Sequence, residues 1–227
     1  MKFSRFALPV LAGAAIFLSA TPAAAQFGAA KYRVTITNLT KGQIMAPAIV
    51  ATHIDSATPL YTMGQPASAE LAGVAEDAML DPMVDMLSND ADVLDVQLIT
   101  GVNGPILPGE SASVEIDSLG QYNRVSLVSM LVTTNDSFVG ISNVRGPNLG
   151  TGVHFAPALD AGTEANTESC EHIPGPPCGN GGVRVTEGAE GYVYISPGIS
   201  GEGEELSRSG YDWRNPAARV TITRLRP

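Results

Sequence analysis

Short segments in which apolar and polar residues alternate are the feature that most limits the folds open to this chain. In KYRVTITN, residues 31–38, Tyr32, Val34 and Ile36 fall on one face and polar residues on the other. Comparable runs occur in VLDVQLIT, SASVEID, FVGISNV and ARVTITR, and turn sequences such as NGPILPGE separate them. A period of two is typical of half-buried strands. About eight such strands with little helix predict an all-β fold, an antiparallel β-sandwich.

One segment, near residues 67–88, has a different period. Leu71, Val74, Met83 and Leu87 recur at spacings of three and four within SAELAGVAEDAMLDPMVDMLSN. This spacing predicts a short helical insertion of two helices, broken at Asp81-Pro82. We interpret its methionines as core residues.

A long stretch from Arg145 to Gly182 is rich in Gly, Pro and Asn, and we expect it to be a loop. It contains the only cysteines of the chain, Cys170 and Cys178, on either side of EHIPGPP. Their spacing does not match a zinc motif, so we predict a disulfide. Strands are expected to resume in GVRVTE and EGYVYISPGI.

The N-terminus has the pattern of a secretory signal peptide. Lys2 and Arg5 precede a short apolar run, and small residues end it at Ala25. We predict cleavage after Ala25, a single mature domain over residues 26–227, and a secreted or periplasmic location. The alternative is an uncleaved anchor. No later segment is long and apolar enough to span a membrane, so we expect no transmembrane segment in the mature chain.

The net charge of the chain limits the classes of molecule that it can be expected to bind. It has 23 acidic against 13 basic residues, and removing Lys2 and Arg5 takes the formal net charge from −10 to −12. Phosphate backbones and anionic lipids would repel such a chain, so we expect no nucleic-acid partner. An excess of carboxylates instead suits cations, and calcium is the first candidate.

The sequence has no recognised catalytic motif. It lacks GxSxG, HExxH and P-loop patterns, and its histidines, His53, His154 and His172, are widely spaced. We therefore predict a protein that is not an enzyme. The alternative is an exported hydrolase with an unrecognised site, because catalytic triads are defined by geometry rather than by sequence order.

Two acidic stretches are candidates for a site. Asp136 lies in TTNDSFVG, between two apolar runs, where a turn is expected. Asp160 and Glu164 lie in DAGTEANTE, and Gly162 between them allows a sharp turn. Calcium prefers oxygen ligands such as carboxylates and carbonyls. From the residues alone, a calcium site and a pair of solvated loops both remain open.

Several stretches in a fixed order resemble the spondin N-terminal domain family. They are TTNDSFVG, DAGTEANTE, RVTEGAEGYVYI and DWRNPAARVTI, after an opening YRVTITNLT, and they span about residues 31–225. The resemblance implies a C2-like sandwich that binds calcium at one end. The calcium-binding carboxylates of the family fall on Asp136, Asp160 and Glu164, with Glu164 in place of an aspartate.

The resemblance also carries an expectation of function. It implies an exported, non-catalytic adhesion or binding module of the cell envelope or the extracellular space. Its Ca²⁺ would be structural and would clamp the acidic loops together. The expected partner is an extracellular protein, a glycan or a lipid headgroup, and the sequence does not choose among them.

Overall fold

The computed structural model describes residues 30–203 and 205–226, and ten strands and three helices lie within them. The strands are β1 Ala30–Asn38, β2 Ala48–His53, β3 Val93–Ile99, β4 Ser111–Ser118, β5 Arg124–Met130, β6 Ser137–Arg145, β7 Thr151–Ala156, β8 Ala158–Asp160, β9 Tyr194–Ile195 and β10 Ala218–Arg224. The helices are α1 Ala69–Asp77, α2 Asp81–Ser88 and α3 Arg208–Tyr211.

The strands form two antiparallel sheets, which confirms the predicted all-β sandwich. One sheet has the order β4-β1-β10-β7, and the other has the order β3-β2-β5-β6-β8-β9. The first and last strands pair along almost their whole length, with Val34 opposite Ile222. The N- and C-terminal ends of the described chain therefore meet in one sheet.

Two apolar layers hold the structure together. Between the sheets, Val34, Ile36, Val50, Leu127 and Val220 are fully buried. On the outer face of the six-stranded sheet, α1 and α2 cover a second cluster, whose buried members include Ile49, Leu71, Met83 and Phe138. Met83 of this cluster is a core residue, as predicted. Met79 and Met86 are 49% and 38% exposed, so the prediction is wrong for these two methionines.

The helical insertion of two helices is confirmed, but the predicted break at Asp81-Pro82 is wrong, because these residues form the first turn of α2 and the break lies at residues 78–80. Ser68 caps α1 by accepting a hydrogen bond from the Leu71 amide, and Ala78 ends it in a left-handed conformation with φ 53°. Pro82 lies in the first turn of α2, where its missing N–H costs no helical hydrogen bond.

Two local predictions between residues 145 and 187 are wrong. The expected loop contains β7, which pairs with β10, and β8, which pairs with β6. The expected strand GVRVTE is a turn and coil segment, and Val183 is exposed. The backbone N–H and C=O of Val185 bond to Glu164 and Ala165 instead of to a neighbouring strand.

Cys170 and Cys178 form the predicted disulfide, with a Cα–Cα distance of 4.8 Å. The disulfide closes a small ring within the segment between β8 and β9. The predicted signal peptide and its cleavage site lie outside the described residues. Among residues 30–203 and 205–226, no helix is long and apolar enough to cross a membrane.

Removing the disulfide is expected to cost stability because the unfolded chain gains freedom. For the small ring closed by Cys170 and Cys178, the chain-entropy relation gives about 2.5 kcal/mol in the free energy of unfolding. Urea unfolding of a Cys170→Ser, Cys178→Ser double variant measures this loss. The wild type unfolded in reducing agent should match the variant. Equal stability of the variant and the oxidised wild type would contradict the assignment of a stabilising role.

Candidate metal site

The β6–β8 pairing brings two of the predicted site residues together. Ser137 lies opposite Asp160 in the register, so Asp136, just before β6, and Asp160, at the end of β8, are neighbours. The Ala161 amide also donates to the Asp136 carbonyl at 3.2 Å. The side chains of Asp136 and Asp160 are fully buried, and that of Glu164 is 1% exposed. These are therefore not the carboxylates of solvated loops.

Asp136 has one well-bonded carboxylate oxygen and one without a partner. Its Oδ2 accepts from the Thr163 amide at 2.7 Å, the Glu164 amide at 3.0 Å and the Thr163 hydroxyl at 3.1 Å. Its Oδ1 is buried and has no hydrogen-bond donor among the described residues. Burial raises the pKa of Asp136, although the bonds from Glu164 and Thr163 oppose the rise. A buried acceptor with no donor is costly.

Asp160 is held by the turn that follows it. Its Oδ1 accepts from the Gly162 amide at 2.8 Å, and its Oδ2 accepts from the Asn166 side-chain amide at 2.9 Å. Burial, followed by repulsion from Asp136, raises the pKa of Asp160 to about 7. The two aspartates are close enough for the carboxyl of one to bond to that of the other. Two carboxylates this close are stabilised by a proton or a cation between them.

Glu164 is bound to a different segment. Its Oε1 accepts from the Val185 amide at 2.9 Å. Burial, followed by repulsion from Glu76 and Asp136, raises the pKa of Glu164 to about 7. Glu164 thus takes part in the same electrostatic cluster as the aspartates. Within the described chain, no group of three or more His, Cys, Asp or Glu side chains is placed so that it could hold a metal ion.

An ion pair from α1 borders the cluster. Glu76, which is 5% exposed, pairs with Arg184 Nε at 2.5 Å, and Asp77 pairs with Arg184 Nη2 at 2.7 Å. Burial raises the pKa of Glu76, and the charge of Asp136 adds to the rise. Arg184 therefore offsets part of the negative charge that faces Glu164. No sequence motif pointed to Glu76, because α1 is distant from Glu164 along the chain.

Asn166 is a second site residue that the motifs did not single out. Its amide Nδ2 donates to Asp160 Oδ2, and it also lies 2.9 Å from the Tyr194 hydroxyl. Burial and the charge of Asp160 raise the pKa of Tyr194. Asn166 thus links Asp160 to the neighbouring strand β9. Its place inside DAGTEANTE was the one available hint.

Glu168 and Asn135, two other polar residues of the acidic stretches, have partners of their own. The carboxylate of Glu168 accepts from the backbone amides of Ser200 and Gly201, at 2.5 and 2.8 Å. The side chain of Asn135 lies 3.4 Å from both the Glu168 amide and the Thr167 hydroxyl. These bonds therefore hold residues 167 and 168 against Asn135 and against the segment at residues 200–201.

A serine and a histidine also meet in the structure. His53 Nε2 lies 2.8 Å from the Ser126 hydroxyl, and its Nδ1 lies 2.7 Å from the Ile54 carbonyl. Ser126 is 1% exposed, and its Oγ also accepts from the Asn143 amide. Burial lowers the pKa of His53. The position that orients the base in a triad is taken here by a carbonyl rather than a carboxylate, so the pair fits a buried structural network.

Comparisons of the chain with protein-family models and with curated protein sequences give no match. The resemblance to the spondin N-terminal domain family therefore stays a prediction that rests on the order of the motifs.

Proposed function

We propose that this chain is an exported, non-catalytic β-sandwich module that binds a structural calcium ion beside Asp136 and Asp160. The observation that carries the proposal is the buried Asp136 carboxylate: its Oδ1 has no donor among the described residues, and the carboxyl of Asp160 lies close enough to bond to that of Asp136. A cation bound there would satisfy this oxygen and remove the repulsion between the aspartates.

The chemistry of the donor groups favours calcium over a transition metal. The carboxylate of Asp136 is bonded by the Thr163 hydroxyl and the backbone amides of Thr163 and Glu164. The oxygens near a bound cation would be those of the carboxylates and of the Thr163 hydroxyl. Hard cations such as Ca²⁺ select oxygen ligands, whereas zinc selects cysteine and histidine. Both cysteines are oxidised to a disulfide and supply no thiolate.

Asp136 and Asp160 would hold the ion directly, and Glu164 is the third carboxylate in the proposal. Glu164 is already bonded to the Val185 amide, so its Oε2 is the oxygen free of that bond. Any rearrangement of Glu164 would lower the affinity by the cost of that bond. At about 1 mM calcium, as in an extracellular medium, a site with a Kd of about 10⁻⁴ M would be about nine-tenths filled, and one with a Kd of about 10⁻³ M about half filled.

The structural role follows from the elements that carry the carboxylates. Asp136 immediately precedes β6, Asp160 ends β8, and Glu164 bonds to the Val185 amide. An ion bound among these carboxylates would hold β6, β8 and the segment around Val185 in fixed positions relative to one another. The disulfide supports export, because disulfides persist in oxidising compartments. In this proposal the module presents its stapled loops to an extracellular protein, a glycan or a lipid headgroup.

Calcium is expected to raise the thermal stability of the wild type relative to the chelated protein. At a calcium concentration of 100 times the Kd, mass action adds about 2.7 kcal/mol to the free energy of unfolding. For a chain of this size, that corresponds to a rise in Tm of about 5–10 °C. Differential scanning calorimetry at neutral pH, with CaCl₂ or with EGTA, measures it.

Two aspartate variants make the calcium experiment specific. Asp160→Asn should lose most of the calcium-dependent rise, because it removes one of the two adjacent charges. Asp85→Asn changes an exposed aspartate on α2 and should keep the full rise. The absence of any calcium-dependent shift in the wild type would rule the proposal out. A full shift in Asp160→Asn would place the ion elsewhere.

A further inference from the structure

A second cluster of charged residues lies at the opposite end of β6 from Asp136. There a cavity of about 500 Å³ opens to solvent, and the residues that line it include Asp55, Gln121, Asn123, Arg124 and Arg145. Because β6 runs from Ser137 to Arg145, its full length separates this cavity from the candidate calcium site. The two sites are therefore independent in position and opposite in charge.

Two arginines stand directly opposite each other across the cavity wall. Arg124 on β5 pairs in the register with Arg145 on β6, after a shift between Val125 and Leu127. Such a shift accommodates an extra residue in one strand and re-aims the side chains beyond it. Asn143, in the longer strand, has a φ of 54°. Like charges directly opposite each other destabilise a sheet, so a negative charge is needed near this pair to offset the repulsion between the two guanidinium groups.

The protein supplies only part of that compensation. Arg124, whose side chain is 23% exposed, pairs with Asp55 at 2.9 Å. Asp55 is shared, because its Oδ1 also accepts from the Asn143 amide at 3.0 Å. Among residues 30–203 and 205–226, Asp55 is the one carboxylate within ion-pair distance of either arginine, and Arg145 has none. The wall therefore keeps a net positive charge in a chain of net charge −10.

We propose that this cavity binds a tetrahedral oxyanion, a phosphate or sulfate group, between the guanidinium groups of Arg124 and Arg145. A guanidinium presents its N–H donors as a planar fork that matches two oxygens of such an anion. Two forks from adjacent strands approach the anion from two sides. The amides of Gln121 and Asn123 line the same cavity and supply further donors.

The net negative charge of the chain does not prevent this local binding. At physiological ionic strength the screening length is about 8 Å, so exposed charges farther away act weakly on the anion. The carboxylates of the candidate calcium site lie a whole strand away. The anion is either free inorganic phosphate or sulfate, or the same group carried as an ester on a sugar.

The test is an NMR titration of the ¹⁵N-labelled protein with sodium phosphate, sodium sulfate, glucose 6-phosphate and sodium chloride at matched ionic strength. Phosphate and sulfate should produce saturable shifts confined to the amides around residues 54–56, 121–124 and 145. Chloride should produce none that saturate. Tighter binding of glucose 6-phosphate than of phosphate would identify an ester as the ligand, and equal or weaker binding would identify the free ion.

Arginine variants test the role of the pair. Arg145→Gln should weaken phosphate binding about tenfold or more, because a charge-assisted bond is lost. Arg145→Lys should recover only part of the affinity, since it keeps the charge without the fork. The matched control is Arg33→Gln, an exposed arginine on the other sheet that pairs with Glu115, and it should bind as the wild type does.

Three results would overturn the proposal. The first is the absence of saturable phosphate or sulfate shifts above the chloride control. The second is shifts at residues far from the cavity. The third is an equal loss of affinity in Arg145→Gln and Arg33→Gln, which would show a general charge effect. All three variants change exposed side chains and are expected to remain folded. Their HSQC spectra in the absence of added anion test this.

Discussion

With calcium removed, the protein is expected to lose stability as the pH rises from about 4 to about 8. Asp160 and Glu164 have folded-state pKa values of about 7, against ordinary values of 3.8 and 4.5. Because they interact with Asp136 and Glu76, they titrate as a group, and the expected loss for the group is about 4 kcal/mol. The loss arises because deprotonation leaves several buried negative charges close together.

The sign follows from the number of protons bound in each state. Between the ordinary pKa and the raised one, the folded protein holds protons that the unfolded chain has released. The contribution of these carboxylates to stability is therefore complete below about pH 4, falls through the range up to about pH 7, and is lowest above it. This is opposite to the behaviour of a salt-bridged carboxylate such as Asp212, whose pKa is lowered, chiefly by the hydrogen bond from Arg214 against the effect of burial.

Urea unfolding in EGTA over this pH range measures the effect. Asp160→Asn should flatten the profile and be more stable than the wild type at pH 8 without calcium, because it removes one of the repelling charges. Asp85→Asn should keep the wild-type profile. Saturating calcium should also flatten the wild-type profile, since the ion takes the place of the protons. Stability that rises with pH in EGTA would contradict the assignment of raised pKa values to these carboxylates.

The sequence predicted the strands whose environment differs between their two faces. β1 alternates because one face packs in the sandwich core and the other meets solvent, as at Val34 and Arg33. β2 is buried at every position, and its continuous apolar run was also readable as a strand. GVRVTE alternates in the same way as β1 but finds no strand partner, because its amides bond to the acidic loop. The alternation of apolar and polar residues in a segment therefore does not determine whether a neighbouring strand pairs with it.

The candidate site was predictable in part. The motifs identified Asp136 and Asp160, and the structure places them next to each other through the β6–β8 pairing. No pattern predicted that pairing, since Asp160 was expected in a loop. The direction of Glu164 toward Val185, and the approach of Glu76 and Arg184, depend on contacts between segments far apart in the chain. Such contacts arise from tertiary packing and leave no local signal.

Gly162→Ala is expected to destabilise the protein by about 4 kcal/mol, from a left-handed backbone and a steric overlap that only backbone movement relieves. Gly162 has a φ of 67°, and a Cβ added there would lie 2.3 Å from the Tyr192 carbonyl oxygen. Gly162 also supplies the amide that bonds to Asp160 Oδ1. Urea unfolding of the variant measures the loss, and the calcium-dependent rise in Tm should fall with it.

Gly150→Ala separates the two causes. Gly150 has nearly the same backbone angle, with a φ of 69°, but a Cβ added there would meet nothing within 4 Å. This variant should lose only about 1–2 kcal/mol, the cost of the left-handed conformation. Its calcium response should equal that of the wild type, because it lies outside the acidic loop. Equal losses in the two variants would show that the contact with Tyr192 contributes nothing. A full calcium response in Gly162→Ala would show that the turn after Asp160 does not position the carboxylates.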